Sequence, residues 1–271
     1  MRVSRREFHH PEDESYFASM TDLLVGMLFV FIILLMAFAL NLRDQQEQVT
    51  TAADRLTKAN VARTELLMQL QHSLKNDGVT VQIDIQNGVL RLPEDVLFSR
   101  GEYRLADKGK ERLQRLALHL SELLPLYACV PTTGELRCPH EETAARLETI
   151  LIEGHTDSTP AQGGAGTCLA DNWSLSACRA NAVFNQLITS EASLANLEND
   201  RPLTKADAGQ AEVPGENEKL LGVSGYADRR PVSKDNMAAN RRIDLRFIMA
   251  TPDEAEAQRF REKFGSKAST K

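Results

Sequence analysis

Ser19–Leu40 reads SMTDLLVGMLFVFIILLMAFAL, one apolar run with a single carboxylate, Asp22, near its first end. From Leu23 to Leu40 no residue is charged. At helical rise those residues span about 27 Å, close to the hydrocarbon thickness of a bilayer. With Tyr16–Thr21 added, the segment is long enough to cross a membrane with some tilt. An acid inside such a helix costs roughly 2.5–3.5 kcal/mol on insertion scales, which makes Asp22 a candidate functional residue. Ser19 and Thr21 are the nearest polar residues that would support it. Snorkelling of the carboxylate to the headgroup boundary is the alternative, because Asp22 lies near the end of the run.

Outward from this stretch, the chain divides into a short N-terminal tail (1–15), a transmembrane helix (16–42), a helical linker (43–76), one globular domain (77–252) and a charged C-terminal tail (253–271). Arg2, Arg5 and Arg6 precede the apolar run, which places the N-terminus in the cytoplasm and exports the domain. A cleaved signal peptide is the rival reading, since Ala37-Phe38-Ala39 resembles a cleavage site. The run is longer than a signal peptide's apolar region, and the acids of PEDE at 11–14 and Asp22 fall where such a peptide is basic or neutral. Retention as an anchor is therefore expected. Over the 271 residues, 32 basic against 38 acidic side chains leave a net charge of −6, which argues against a nucleic-acid partner.

Beyond the membrane run, Leu42, Val49, Leu56 and Leu70 recur at sevenfold spacing, interrupted by Arg63, while Ala59, Leu66, Leu67 and Leu74 fill the intervening turns. Two readings stand side by side: a parallel coiled coil, hence a dimer, or an amphipathic helix packing on its own domain. Asn76-Asp77-Gly78 stops the helix. VTVQIDIQ at 79–86, the Asn87-Gly88 turn and Val89–Leu92 predict a β-hairpin. Apolar residues at 105, 113, 116, 120, 123 and 124 predict a helix ending at Pro125. Strands are predicted at 148–153, 222–226 and 242–250, a helix at 174–189, and an insertion with little sheet at 190–221. Alternating strands and helices after a hairpin give an α+β class: an α/β sandwich with helices packed on one face of a mixed sheet.

Cys129, Cys138, Cys168 and Cys178 all fall in the exported part, where an even count suggests disulfides. Pairing by sequence proximity joins Cys129 to Cys138 and Cys168 to Cys178. Reduced buried thiols are the alternative. A zinc site lacks both C-x-x-C spacing and a His cluster, so no metal or cofactor is expected.

The segment from about 80 to 250 resembles the OmpA-like peptidoglycan-binding domain. The resemblance rests on Ile152-Glu153-Gly154-His155-Thr156-Asp157, on Asn172 followed by Leu175-Ser176-Ala177-Cys178-Arg179-Ala180, on Gly225-Tyr226 with Pro231, and on Asn240-Arg241-Arg242-Ile243. It implies that Asp157 and Arg179 hold the diaminopimelate of the wall peptide, with Thr156, Asn172, Asn240 and Arg241 around them. The chemistry agrees: the free end of diaminopimelate is zwitterionic and needs one anion and one cation. The insertions at 158–171 and 191–220 depart from the compact family pattern.

A membrane helix with a buried Asp, a helical linker and this domain together resemble the MotB family of stator subunits. Within it, the wording of Ser19–Leu35 is closer to the ZorB subunits of Zorya anti-phage motors than to flagellar subunits. The resemblance implies a bacterial inner-membrane protein. Two copies would sit within five MotA-like (ZorA-like) membrane subunits, with Asp22 carrying the ion, a proton in the reading preferred here, and the domain gripping peptidoglycan. A flagellar stator subunit and a static membrane-to-wall anchor are the alternatives. A wall hydrolase is not supported: His155 and Asp157 are neighbours in sequence, but there is no H-E-x-x-H, no nucleophile elbow and no further His with usable spacing.

Overall fold

α1 runs from Pro11 to Asn76, and no Gly or Pro interrupts it after Gly26. This computed structural model describes residues 11–99, 101–132, 135–139, 145–202 and 217–250. The tails at 1–10 and 251–271 and the middle of the second insertion, 203–216, lie outside the described residues, as does the side chain of Ser19. The chain forms two compact units, Met1–Asp54 and Arg55–Lys271.

In the first unit, Met20–Glu47 is long and apolar enough to cross a membrane, and none of it is buried. A helix apolar on every side has no wet face to offer, which is the pattern of a membrane span.

In the second unit the last turns of α1 behave differently. Leu66, Leu67, Leu70 and Leu74 are fully buried, with Ala59 and Ala62 packed beside them, whereas Leu56 is half exposed. From Ala59 onward, therefore, the amphipathic-helix reading describes the linker: these leucines face the domain's own core. Arg63, which breaks the heptad, donates to the Gln86 carbonyl at 3.3 Å and lies over the hairpin turn. The helix ends at Gly78 (φ +74°), where the Val79 amide donates to the Leu74 carbonyl at 2.8 Å, a left-handed cap that glycine adopts without a Cβ clash.

The hairpin follows as β1 (Gln82–Asp84) and β2 (Val89–Pro93), shorter on its first arm than the alternation of 79–86 predicts. Val79 and Val81 are buried ahead of the first arm, outside the ladder. Next come α2 (Glu94–Leu97), α3 (Asp107–Leu123), β3 (Val130–Thr132), β4 (Glu135–Arg137), β5 (Leu147–His155) and α4 (Asn172–Ser190). The chain continues through β6 (Glu198–Pro202), β7 (Asn217–Lys219), β8 (Leu221–Gly225), α5 (Met237–Asn240) and β9 (Arg242–Met249).

Five strands form one mixed sheet in the order β1-β2-β9-β5-β8, in which β5 and β8 are parallel and the other pairs antiparallel. β9 shows why one face takes the helices: Ile243, Leu245, Phe247 and Met249 join the apolar core, while the alternating Arg242, Asp244 and Arg246 point the other way. Against the apolar face pack α3, through Leu113, Leu116, Ala117 and Leu120, and α4, through Ala180, Val183 and Leu187. The close approach of α4 requires glycine in two strands. A Cβ on Gly154 would stand 2.0 Å from the Ser176 carbonyl oxygen, and one on Gly225 would stand 2.8 Å from the Ala177 amide nitrogen.

The 190–221 segment holds more sheet than its composition suggests. β6 and β7 pair antiparallel, and Glu198 and Asn199 are buried there. Scattered Pro and Gly hide this pair because its two arms are far apart in sequence. Cys129 and Cys138 are joined (Cα–Cα 4.1 Å) at the base of the β3–β4 hairpin. Cys168 and Cys178 are joined (Cα–Cα 5.8 Å), fastening the 158–171 loop to α4.

Candidate functional site

The site forms where β2 ends, β5 ends and β9 begins. Pro93 pairs with Arg242 across the β2–β9 ladder, so the next residues outward, Glu94 and Arg241, become neighbours, and the Glu94 amide donates to the Arg241 carbonyl at 3.0 Å. Asp157 follows β5. One of its carboxylate oxygens accepts from the Thr159 amide (2.9 Å), the other from Arg241 Nη1 (2.6 Å). Arg241 Nε also donates to Glu94 Oε2 (2.5 Å), and Glu94 Oε1 accepts from Arg179 Nη2 on α4. Arg179 Nε donates to the Glu102 carbonyl at 2.9 Å, and its guanidinium lies over the Phe98 ring.

Four charges thus alternate in a row, Arg179, Glu94, Arg241, Asp157, and they sum to zero. Exposure separates the two cations: the Arg241 side chain is 29% exposed and that of Arg179 only 3%. Burial works against ionisation of Asp157, but Arg241 and the Thr159 amide outweigh it and hold the carboxyl below its usual range. The Asp157 hydrogen bond raises Arg241 against the burial that opposes it, while burial pulls Arg179 down and Glu94 counters.

Asp157 and Arg179, expected to act together, are therefore linked through Arg241 and Glu94 rather than to each other. Glu94 is the residue that sequence reasoning missed. It belongs to no motif, and its one signal is positional, an acid directly after the proline that ends β2. Asn172 braces the loop: its Nδ2 donates to the Asp157 carbonyl (3.2 Å) and its Oδ1 accepts from the Ala161 amide (3.0 Å). Asn240 orders the 231–236 loop by accepting from the Val232 and Ser233 amides and donating to the Ser233 carbonyl. Thr156 is buried, and its hydroxyl has no partner among the described residues. Thr21 and Asp22 are exposed on α1 in the other unit.

A second charged group lies on the sheet face opposite the helices. Arg246 grips Glu153 with two bonds (2.7 and 2.8 Å), Arg242 Nε donates to Asp244 (2.9 Å), and Arg91 reaches the same carboxylate (3.2 Å). His155 lies 3.8 Å from Glu153 and 3.6 Å from Asp244, and its ring stacks on Tyr226. Burial alone would raise the Glu153 carboxyl, but His155 and Arg246 pull it down to about 2. Burial depresses the imidazole of His155. Ligand atoms of Glu153, His155 and Asp244 lie within 4.8 Å of one another, the spacing of a metal site. Three guanidinium groups already neutralise the two acids, so a divalent cation would enter a positive field; the arrangement fits an internal salt network.

Residues 139–243 match the OmpA family. The chain is also similar to the uncharacterized protein YtxE of Bacillus subtilis, 25% identical over 260 residues, covering 85% of this chain and 87% of the relative. Among solved structures, similarity extends to a MotB-like protein of Desulfovibrio vulgaris (18% identity, 73% of this chain and 98% of that one, TM-score 0.45). It extends also to the cell wall anchor of the T6SS from Pseudomonas aeruginosa (20%, 68% and 97%, TM-score 0.40). A third is the periplasmic domain of Helicobacter pylori MotB (18%, 65% and 85%, TM-score 0.40).

Proposed function

We propose that this chain is a wall-anchored stator subunit of an inner-membrane ion motor, without enzymatic activity of its own. The observation behind this reading is a pairing within one chain: an exposed helix whose Met20–Leu40 stretch is apolar apart from Asp22 and two small or hydroxyl residues, Thr21 and Gly26, and a domain whose edge carries a neutral row of charges. At that edge the ammonium of diaminopimelate takes Asp157, and its carboxylate takes the Arg241 guanidinium so released, a substitution that leaves every charge paired. Arg179 holds Glu94, and Glu94 in turn aims Arg241.

In the membrane, two copies present their Asp22 carboxyls to surrounding MotA-like subunits. Each carboxyl takes up a proton from one side and releases it to the other, and one charge crossing 100 mV supplies about 2.3 kcal/mol. The finer assignment, a ZorB-like role in phage defence with five ZorA-like partners, rests on the wording of Ser19–Leu35.

Two variants separate the parts. Asp157→Asn is expected to abolish co-sedimentation of the full chain with purified sacculi while leaving proton flux through the reconstituted assembly intact. Asp22→Asn is expected to do the reverse and to abolish phage resistance in cells. Retained flux and resistance in Asp22→Asn would leave only a static anchor. A wild-type chain that stays in the supernatant would remove the wall-binding reading as well.

A further inference from the structure

Beside Asp157 lies a pocket of about 260 Å³ lined chiefly by Trp173, Asn172, Asp171, Ala161, Asp228 and Arg229. We infer that it receives one pyranose ring of the wall glycan, stacked on Trp173. The inference rests on the wall-binding reading above and extends it from the peptide to the sugar.

Trp173 is the only tryptophan in the chain, and it stands 48% exposed at the rim. A large indole left in water next to a concave surface is surface available for contact, and the C–H face of a sugar ring suits it, apolar on one side and hydroxylated at the edge. Around it stand the planar polar groups that hydroxyl and acetamido substituents need: the Asp171 carboxylate, the Asn172 amide, and the Asp228–Arg229 pair, 3.6 Å apart and exposed. The pocket is below the roughly 300–1,000 Å³ typical of drug-sized sites, room for about one ring.

Asp171 caps α4 by accepting from the Ser174 amide (2.6 Å), which sets the start of the helix that carries Trp173. The Ser176 hydroxyl donates to the Trp173 carbonyl (2.9 Å) and accepts from the Ala227 amide (3.1 Å), so one side chain ties the two lips together. Ala227 holds φ +49°, a conformation that alanine rarely adopts and that surrounding structure must impose. The Cys168–Cys178 bridge fastens the third wall.

The pocket is also continuous with the Asp157 loop. Asn172 bonds the Asp157 backbone with one end of its amide and the pocket residue Ala161 with the other. Asp157 and the pocket thus share one loop frame, on which the proposal places the ammonium and the sugar of one ligand.

The absence of any other indole makes the test direct. The full chain, in a detergent without a sugar headgroup, is titrated with three probes: a diaminopimelate-containing stem peptide, the same peptide on its disaccharide, and chitotriose. The expected result is a blue shift of tryptophan emission with the disaccharide-peptide and about tenfold tighter binding than for the free peptide, or 1.4 kcal/mol. By calorimetry, Trp173→Ala lowers the disaccharide-peptide to the affinity of the free peptide and leaves the free peptide unchanged. Trp173→Phe keeps most of the gain, and Asp157→Asn weakens both. Equal affinity for peptide and disaccharide-peptide in the wild type, with or without an emission change, overturns the sugar subsite while the wall-binding reading stands. A wild type that binds neither overturns both, and binding of chitotriose alone would detach the pocket from Asp157 and refute the continuity argument.

Discussion

Two groups of buried charges flank the start of β9, and they use the same residue types. On the outer face of the sheet, Glu153 and Asp244 are 1% exposed and are held by Arg246, Arg242 and Arg91. At the end of the sheet, Glu94 and Asp157 are 8% and 9% exposed and are held by Arg179 and Arg241. The first group lies along neighbouring strands, where register sets each distance: Glu153 faces Asp244 and Leu151 faces Arg246 across the β5–β9 ladder. The second joins residues just past the ends of β2 and β5 and just before β9 to Arg179 within α4, so its charged groups reach one another only through their side chains. In the first group the exposed cation, Arg246 (25%), is fixed on one carboxylate by two bonds, a pairing that serves stability. In the second the exposed cation, Arg241 (29%), divides itself between Glu94 and Asp157 with one bond to each, the arrangement that the proposed exchange of partners uses. Burial of charge by itself therefore does not separate the two groups; the way each exposed arginine divides its bonds does.

The contrast can be broken most forcefully at Glu153. Glu153→Ala leaves Arg246 without its carboxylate and exposes His155 to an uncompensated field, so a loss of about 3–5 kcal/mol in urea unfolding is expected. Sacculus binding below the new midpoint should remain.

Acid titrates the same network. Glu153 is depressed in the folded state, so its contribution is complete above the unfolded value of 4.5 and is lost as pH falls towards about 2. The size is roughly 3 kcal/mol. His155, also depressed, adds to stability above its unfolded value near 6.5 and loses that contribution as pH falls below it, because the unfolded chain then binds the extra proton. Unfolding midpoints measured from pH 7 downward should therefore fall in two stages, and Glu153→Gln should flatten the lower one.

Glu94→Ala tests the link between the two arginines. It strands buried Arg179 and releases Arg241, for an expected cost of about 2–3 kcal/mol together with loss of wall binding. The smallest stability effect belongs to Asp157→Asn, below about 1 kcal/mol, because its partner Arg241 already reaches solvent. That variant should nonetheless lose at least tenfold in affinity for the stem peptide. Equal damage to stability at Asp157 and Glu153 would erase the distinction between the two groups.

The site was legible in proportion to how local its pattern is. Asp157 and Arg179 sit within motifs, and Asn172 and Asn240 mark loops that their amides order. Glu94 was invisible because its meaning depends on the β2–β9 register, which places it beside a residue 147 positions away. The linker shows the same limit. The sevenfold spacing of Leu42 to Leu70 serves a coiled coil and a core-facing helix equally well, and only the burial of Leu66, Leu67, Leu70 and Leu74 separates them for the last turns. The β6–β7 pair escaped detection because strand pairing between distant short segments leaves no periodic trace.

What the sequence alone determined are features with a local physical signature. They include the uncharged run after Asp22, the Asn87-Gly88 hairpin, the alternation along β9 and the glycines at 154 and 225. Tertiary structure decided what each charge is for. Coulomb partners are chosen by distance in space, and that distance follows from strand register and helix packing. Arg179, expected beside Asp157, lies buried against Glu94, Arg241 is the cation of that row that meets solvent, and Trp173 stands at the rim of a pocket.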